Sequence, residues 1–221
     1  MLNISLTEHG TGFKVSGDFW DFKELSNLFG CSGEDPDDLH PGFSKPFNSL
    51  FNEINKAKSG MRGVIGLSEI KDLSDYYFFN FDCIWFCACI AIFKNSKAYH
   101  KYSLRKKAVI RLVFALIHEA LAKINPGVAD KTIKWMEMYR PFGDDYNTLM
   151  LDQVFAEYVS DKRRTAKSRV QRLPICLEML LPSSYSYNLF YERHKKEYGE
   201  KHGMNELLNF VSISPKHGFF W

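Results

Sequence analysis

The residues best suited to chemistry in this sequence are the cations of a short basic stretch near residue 165. Six of the eleven residues from 162 to 172 are basic and none is acidic: Lys162, Arg163, Arg164, Lys167, Arg169 and Arg172. Clustered Lys and Arg side chains bind phosphates and other polyanions, with an affinity that falls as the salt concentration rises. The apolar residues of the same predicted helix cover only about 60° of a helical wheel. We therefore expect these cations to be exposed, either as a solvated helix end or as a site for an anionic partner.

A second group that could do chemistry is the pair Arg111 and His118, seven residues apart in a predicted helix. At about 100° per residue, the two side chains lie within about 20° of each other on the helix surface. Alanines flank this stripe and the large apolar residues point to the other side, which would let another helix or chain come close. A histidine can exchange protons near neutral pH, and an arginine can stabilise negative charge on a phosphoryl group.

The spacing of this pair resembles the R-x4–6-H pattern of the HEPN ribonucleases. The resemblance implies a metal-independent ribonuclease in which two chains bring their stripes together. It assigns proton transfer at the ribose 2′-hydroxyl to His118 and stabilisation of the phosphorane to Arg111. Leu112 departs from the pattern, because a polar residue usually follows the arginine. The alternative is that both side chains pair with acids, such as Glu119 or those of the N-terminal lobe at about residues 1–70.

Other catalytic and cofactor-binding patterns are absent from the sequence. It contains no G-x-x-x-x-G-K-[ST], no G-x-G-x-x-G, no H-E-x-x-H and no G-x-S-x-G. Cys83, Cys87 and Cys89 do not have zinc-site spacing, and we expect them in the core. The acids at 34–38 do not have the spacing of a calcium-binding EF-hand loop, and we expect a solvated loop there. The sequence therefore predicts neither a metal nor a cofactor.

Charge is distributed unevenly along the 221 residues, although the net charge is only +3. Residues 1–100 hold 9 Lys and Arg against 13 Asp and Glu, whereas residues 101–221 hold 20 against 13. The basic second part predicts a negatively charged partner, either a nucleic acid or an acidic protein. The alternative is that the acidic and basic parts of the chain attract each other. A homodimer is a further expectation, because the Arg111 stripe would be open to a second copy.

The order of the predicted elements indicates an α+β fold, with a small β-containing lobe at 1–70 and a helical lobe at 71–221. Alternating apolar residues on both sides of a Gly-containing turn predict a β-hairpin over residues 2–17. Helices at 19–29 and 47–58 and a weak strand at 62–67 complete the first lobe. Further helices are predicted at 73–93, 104–124, 129–139, 147–173, 175–181 and 187–198, and Pro174 is expected to end the fourth of these. The two lobes are free to share one core.

The cysteines and the hydropathy favour a reducing compartment, the cytoplasm. The chain has five cysteines, an odd number, and three of them lie in one apolar run from Cys83 to Phe93. A disulfide framework is therefore not expected. The run has 11 residues, whereas a membrane-spanning helix needs about 20. The first residues lack the apolar segment of a signal peptide, so we expect no association with a membrane.

The opening of the chain carries one more pattern, TGFKVSGDFWD, from Thr11 to Asp21. It resembles the start of an uncharacterised bacterial protein family that opens with T-G-x-x-x-S-G-D, two aromatic residues and an aspartate. The resemblance implies a short β-containing front, a helical back and a bacterial or phage source, but no activity. The sequence as a whole predicts a non-catalytic binding or regulatory module of the antitoxin or immunity type. The HEPN-like ribonuclease is the alternative.

Overall fold

A computed structural model describes residues 1–30, 44–65, 76–96, 99, 101–140, 146–160 and 165–198. The described residues form a four-stranded antiparallel sheet near the N-terminus and eight helices. The predicted α+β fold with a helical second part is confirmed.

The sheet contains the strands β1 (Asn3–Leu6), β2 (Gly12–Gly17), β3 (Gly63–Ile65) and β4 (Tyr76–Asp82), in the order β1-β2-β4-β3. The predicted hairpin is confirmed, because β1 and β2 pair antiparallel with Leu6 opposite Phe13. On the inner face, Phe13 lies opposite Phe81 and Val15 opposite Phe79, and all four side chains are buried. Cross-strand pairs of aromatic and β-branched residues are the units that stabilise such a sheet.

The predicted helix at 73–93 is wrong in its first part, which contains the strand β4. The segment YYFFNFD is a strand, and a helix begins only at Cys83. Aromatic residues favour strands, and here their alternate side chains pack on the core while the backbone pairs with β2. The pairing with β2 cannot be predicted from the residues around β4 alone, because β2 lies far away in the sequence.

The eight helices are α1 (Phe19–Gly30), α2 (Ser44–Lys58), α3 (Cys83–Asn95), α4 (Leu104–Ala122), α5 (Pro126–Met138), α6 (Tyr146–Ser160), α7 (Ala166–Glu178) and α8 (Tyr185–Tyr198). The predicted helix at 147–173 is wrong in its length, because α6 and α7 are separate. The Thr165 hydroxyl caps α7 by accepting a hydrogen bond from the backbone N–H of Ser168. Pro174 lies inside α7 and does not end it. Leu173 and Leu177 are buried on either side of Pro174, and we attribute the continuation to their packing.

α3 is the central element of the core. Every residue from Cys83 to Phe93 is buried, which confirms the predicted core helix. α3 packs against β2 and β4, the two central strands of the sheet. It also packs against five helices: α2, α4, α5, α6 and α7. Side chains from residues on both sides of position 70 join a single hydrophobic core. None of the helices in the described ranges combines the length and the apolarity required to cross a membrane.

Candidate functional site

The β1–β2 turn is the point where the sheet meets α6 and α7. Gly10 has a positive φ of 64°, a conformation that glycine adopts without strain. A Cβ atom at Gly10 would lie 3.0 Å from the backbone oxygen of Ala166 and 3.0 Å from a methyl group of Val170. The hydroxyl of Tyr158 donates a hydrogen bond of 2.7 Å to the carbonyl oxygen of Gly10. These contacts hold the first turn of α7 directly against the hairpin.

Arg169 is part of this junction. It was predicted to be an exposed polyanion-binding residue, and that predicted exposure is wrong. It is only 4% exposed, and its guanidinium donates a hydrogen bond to the backbone carbonyl of His9. A buried charge must be hydrogen-bonded, and an arginine can meet that need with backbone oxygens. Arg169 therefore holds the hairpin turn in place and is not accessible to a partner.

Two other cations of the basic stretch lie on the outer side of α7. Lys167 is exposed and forms no ion pair among the described residues. Arg172 lies 3.3 Å from the carboxylate of Glu157, and the two side chains are 26% and 44% exposed. Lys162, Arg163 and Arg164 lie outside the described residues. The expectation that all six cations surround one exposed helix is wrong at Arg169 and stays a prediction at residues 162–164.

α4 places Arg111 on its solvent-facing side. Arg111 is exposed, as are Ala108 and Ala115, whereas Val113 and Ile117 are buried on the opposite side. This confirms the predicted helical wheel, with small residues beside the arginine and large apolar residues in the core. Leu112 is also exposed, at 41%, so the departure from the ribonuclease pattern lies on the same surface.

His118 lies on the same side of α4 and contacts α5. Its Nε2 atom is 3.0 Å from a carboxylate oxygen of Asp130, and the two side chains are 41% and 74% exposed. The predicted acidic partner thus exists, but it is Asp130 and not Glu119. A carboxylate that holds one ring nitrogen orients the imidazole and leaves the other nitrogen for proton exchange. The arrangement is chemically able to do acid–base work, but Asp130 accounts for His118 equally well as a surface ion pair.

Asp82 and Asp152 form a pair of titratable groups that the sequence did not single out. The carboxylate of Asp82 caps α3 by accepting a hydrogen bond of 2.6 Å from the backbone N–H of Trp85. The indole N–H of the same tryptophan donates to Asp152 at 3.2 Å. Burial raises the pKa of Asp82 to about 8, and the nearby Asp152 carboxylate adds to the shift while the Trp85 N–H opposes it. An aspartate directly before a long apolar run is the sequence signal for such a cap.

A family model described as a domain of unknown function (DUF6904) matches residues 2–214 of this chain. The chain belongs to the DUF6904 family. Comparison with curated proteins gives no match, and comparison with solved structures gives none either. Membership of DUF6904 assigns no activity, so a function has to be argued from the residues above.

In this DUF6904 member, the described cysteines are core residues. Cys83, Cys87, Cys89 and Cys176 are free and buried, and burial raises the pKa of the first three thiols. A thiol held in its neutral form is a poor nucleophile and a poor metal ligand. Within the described ranges, no group of three or more His, Cys, Asp or Glu side chains is placed to hold a metal ion. The acidic segment at 34–38 lies outside those ranges.

Proposed function

We propose that this protein is a non-catalytic binding module that recognises an anionic partner, a nucleic acid or an acidic protein. The binding residues precede α7 in the sequence or lie within it, and we call them the α7 basic surface: Lys162, Arg163, Arg164, Lys167 and Arg172. The observation that carries the proposal is the position of these cations relative to the helix. Three of them immediately precede the cap residue Thr165 in the sequence, and Lys167 lies exposed in the first turn.

Cations at this position are unfavourable for an isolated helix. The N-terminal end of a helix carries a partial positive charge, so basic side chains there repel it and acidic side chains stabilise it. α7 has no acidic residue in its first turn. A bound anion would remove this repulsion and would also accept hydrogen bonds from the free backbone N–H groups. The charge pattern is therefore better suited to a bound anion than to the stability of the helix alone.

The packing of α7 supports the same proposal. Arg169 and the close contact at Gly10 fix the first turn of α7 against the hairpin. A site on a fixed element loses less conformational entropy when its partner binds than a site on a free chain end does. Lys167 and Arg172 thus lie on a preorganised helix.

Binding to RNA, duplex DNA and poly-glutamate across a salt series tests the proposal. The double variant Arg164→Glu and Lys167→Glu should weaken binding by about tenfold or more and reduce the salt dependence. The matched control is Lys23→Glu with Lys56→Glu, which makes the same change in charge on α1 and α2. Unchanged binding in the first variant, or an equal loss in the control, would contradict a specific role for the α7 basic surface.

We also propose that the protein works in the cytoplasm. The support is that four cysteines are free in the described part of the chain, as expected in a reducing compartment. Cell fractionation tests this, and recovery of the protein from an oxidising compartment would contradict it.

A second candidate is a metal-independent HEPN-like ribonuclease, favoured by the shared exposed side of Arg111 and His118 on α4. Asp130 would orient the imidazole, and a homodimer would supply the second half of the site. Incubation with total RNA in the presence of EDTA tests this candidate. Cleavage should be lost in His118→Ala and in Arg111→Ala, but kept in the matched control His9→Ala. Absence of cleavage by the unaltered protein, or equal cleavage by all variants, would exclude it.

A further inference from the structure

We infer that the exposed side of α4 and α5 binds the phosphate backbone of a duplex nucleic acid. This inference rests on the proposed function and narrows the anionic partner to one class. Residues 104–140, which span both helices, contain eight Lys and Arg against three Asp and Glu. The net positive charge is therefore not confined to the α7 basic surface.

Four cations on this side have no partner among the described residues. Arg111, Lys123, Lys131 and Lys134 are exposed and form no hydrogen bond or ion pair with the described residues. Two arginines elsewhere in the described chain are paired with glutamates. Arg62 forms an ion pair with Glu53 at 2.6 Å, and Arg105 forms one with Glu24 at 2.6 Å. Unpaired Lys and Arg side chains in one region are the feature that phosphate contacts require.

The geometry of the helix pair places two of these cations, Arg111 and Lys134, beyond the same end of the contact between His118 and Asp130. α4 and α5 are joined by a short turn, and the contact between His118 and Asp130 shows that they pack antiparallel. Lys134 follows Asp130 by one helical turn, and Arg111 precedes His118 by about two turns. Both cations therefore lie on the same side of that contact. We call the set of Arg111, Lys123, Lys131 and Lys134 the α4–α5 basic surface.

Acidic residues on the same helices are fewer and partly engaged. Asp130 contacts His118, whereas Glu119 and Glu137 are exposed. The excess of cations remains after both glutamates are counted, and α4 alone is about 28 Å long at 1.5 Å per residue. That length is enough to contact several phosphates of a duplex, which are spaced about 3.4 Å along each strand axis.

The neighbouring side chains favour a duplex over the other anionic partners. Both helices are described in full, and neither exposes an aromatic side chain, since Phe114 is partly buried and Trp135 is buried. Single-stranded nucleic acids are bound by stacking bases on exposed aromatic rings, and aromatic residues are among the side chains that most often anchor a protein partner. Exposed alanines at positions 108 and 115 let a wide, rigid backbone approach closely. Contacts to phosphates alone give binding without sequence preference.

α5 carries Lys131 and Lys134 and packs against α7, which carries Lys167 and Arg172. α5 packs against α4 on one side and against α7 on another. A partner that touches both surfaces must be an extended polyanion, which a duplex is.

Fluorescence anisotropy with labelled duplex DNA, duplex RNA, single-stranded DNA and poly-glutamate tests the inference. We expect the intact protein to bind both duplexes irrespective of sequence. Lys131→Glu with Lys134→Glu should weaken duplex binding by about tenfold and lower the salt slope by about two. Lys23→Glu with Lys56→Glu is the charge-matched control. If the double variant is less stable in urea, Lys131→Gln with Lys134→Gln replaces it, with an expected loss of about threefold.

The outcomes separate this inference from the proposed function. If Lys131→Glu with Lys134→Glu binds normally while Arg164→Glu with Lys167→Glu loses binding, the α4–α5 inference is wrong and the α7 proposal stands. If both double variants bind normally, both are wrong. Preferential binding of single-stranded DNA or of poly-glutamate would also overturn the duplex inference, because neither needs a wide cationic surface.

Discussion

Arg169 and Lys167 lie two residues apart on α7 and have opposite environments. Arg169 is buried and donates to the carbonyl of His9, whereas Lys167 is exposed and makes no ion pair in the described part of the chain. In sequence the two are equivalent members of one basic stretch. Their difference separates a cation that stabilises the fold from one that is available to a partner.

We predict that Arg169→Met destabilises the protein by about 2–4 kcal/mol, because it leaves the His9 carbonyl without its donor and disturbs a packed junction. Lys167→Met is the matched control and should change the free energy of unfolding by less than about 0.5 kcal/mol. Urea denaturation followed by circular dichroism measures both values. Equal effects of the two variants would contradict the structural role of Arg169.

Asp82 supplies a prediction about pH. Its pKa is raised from 3.8 to about 8 in the folded protein, so the folded state holds the proton more tightly than the unfolded state does. Its contribution to stability is complete below pH 4 and is lost as the pH rises to about 8. Asp82→Asn keeps an oxygen that accepts from the Trp85 N–H but cannot ionise.

The stability of Asp82→Asn relative to the unaltered protein should therefore increase from about pH 4 to about pH 8 and then level off. Urea denaturation at a series of pH values measures this difference. A difference that is the same at every pH would show that the Asp82 carboxyl does not titrate as the structure indicates.

At the scale of elements, the β1–β2 turn couples the sheet to α6 and α7. Gly10 and Gly60 both have positive φ angles, of 64° and 73°. A Cβ at Gly10 would press on the backbone of α7, whereas among the described residues a Cβ at Gly60 would meet just an aromatic carbon of Tyr77, at 3.6 Å. Both glycines therefore need a positive φ angle, but Gly10 alone of the two is packed closely against another element.

We predict that Gly60→Ala costs about 1–2 kcal/mol from backbone strain alone. Gly10→Ala should cost more, by at least about 1 kcal/mol, because the hairpin turn must move away from α7. Thermal or urea denaturation of the two variants measures the difference. If both alanines cost the same, the contact between the turn and α7 does not contribute to stability.

At the scale of the whole molecule, the sheet and the helices enclose one core around α3. Four described cysteines belong to it, and thiols in such a core react only when the structure opens. Their reactivity therefore reports on the opening of the whole molecule and not on a local loop.

In a Cys31→Ser variant, we predict that none of the remaining thiols reacts rapidly with an aromatic disulfide reagent under native conditions. All four should react at once in denaturant. Stopped-flow absorbance measurements with and without urea compare the reaction rates of the thiols in the folded and unfolded protein. A rapidly reacting thiol in the native protein would contradict the enclosed core.

The sequence pattern was sufficient to predict those elements that depend on residues close together in the chain. The hairpin, the helices α1, α2, α4 and α5, and the exposed side of Arg111 follow from alternation, from helical spacing and from turn residues. The partner of His118 did not follow, because Asp130 reaches it only once α5 folds back on α4. The raised pKa of Asp82 likewise depends on burial by distant elements.

The amino-acid sequence by itself determined that this chain forms an α+β fold with a basic second part and a buried cysteine helix. These properties depend on composition and on spacings within one element, which no distant contact alters. Only the tertiary structure decided that residues 76–82 form a strand, that Arg169 turns inward, and that several cations of α4 and α5 have no partner among the described residues. Each of these depends on a neighbour far away in the sequence, because strand pairing and the burial of charge are settled by long-range packing.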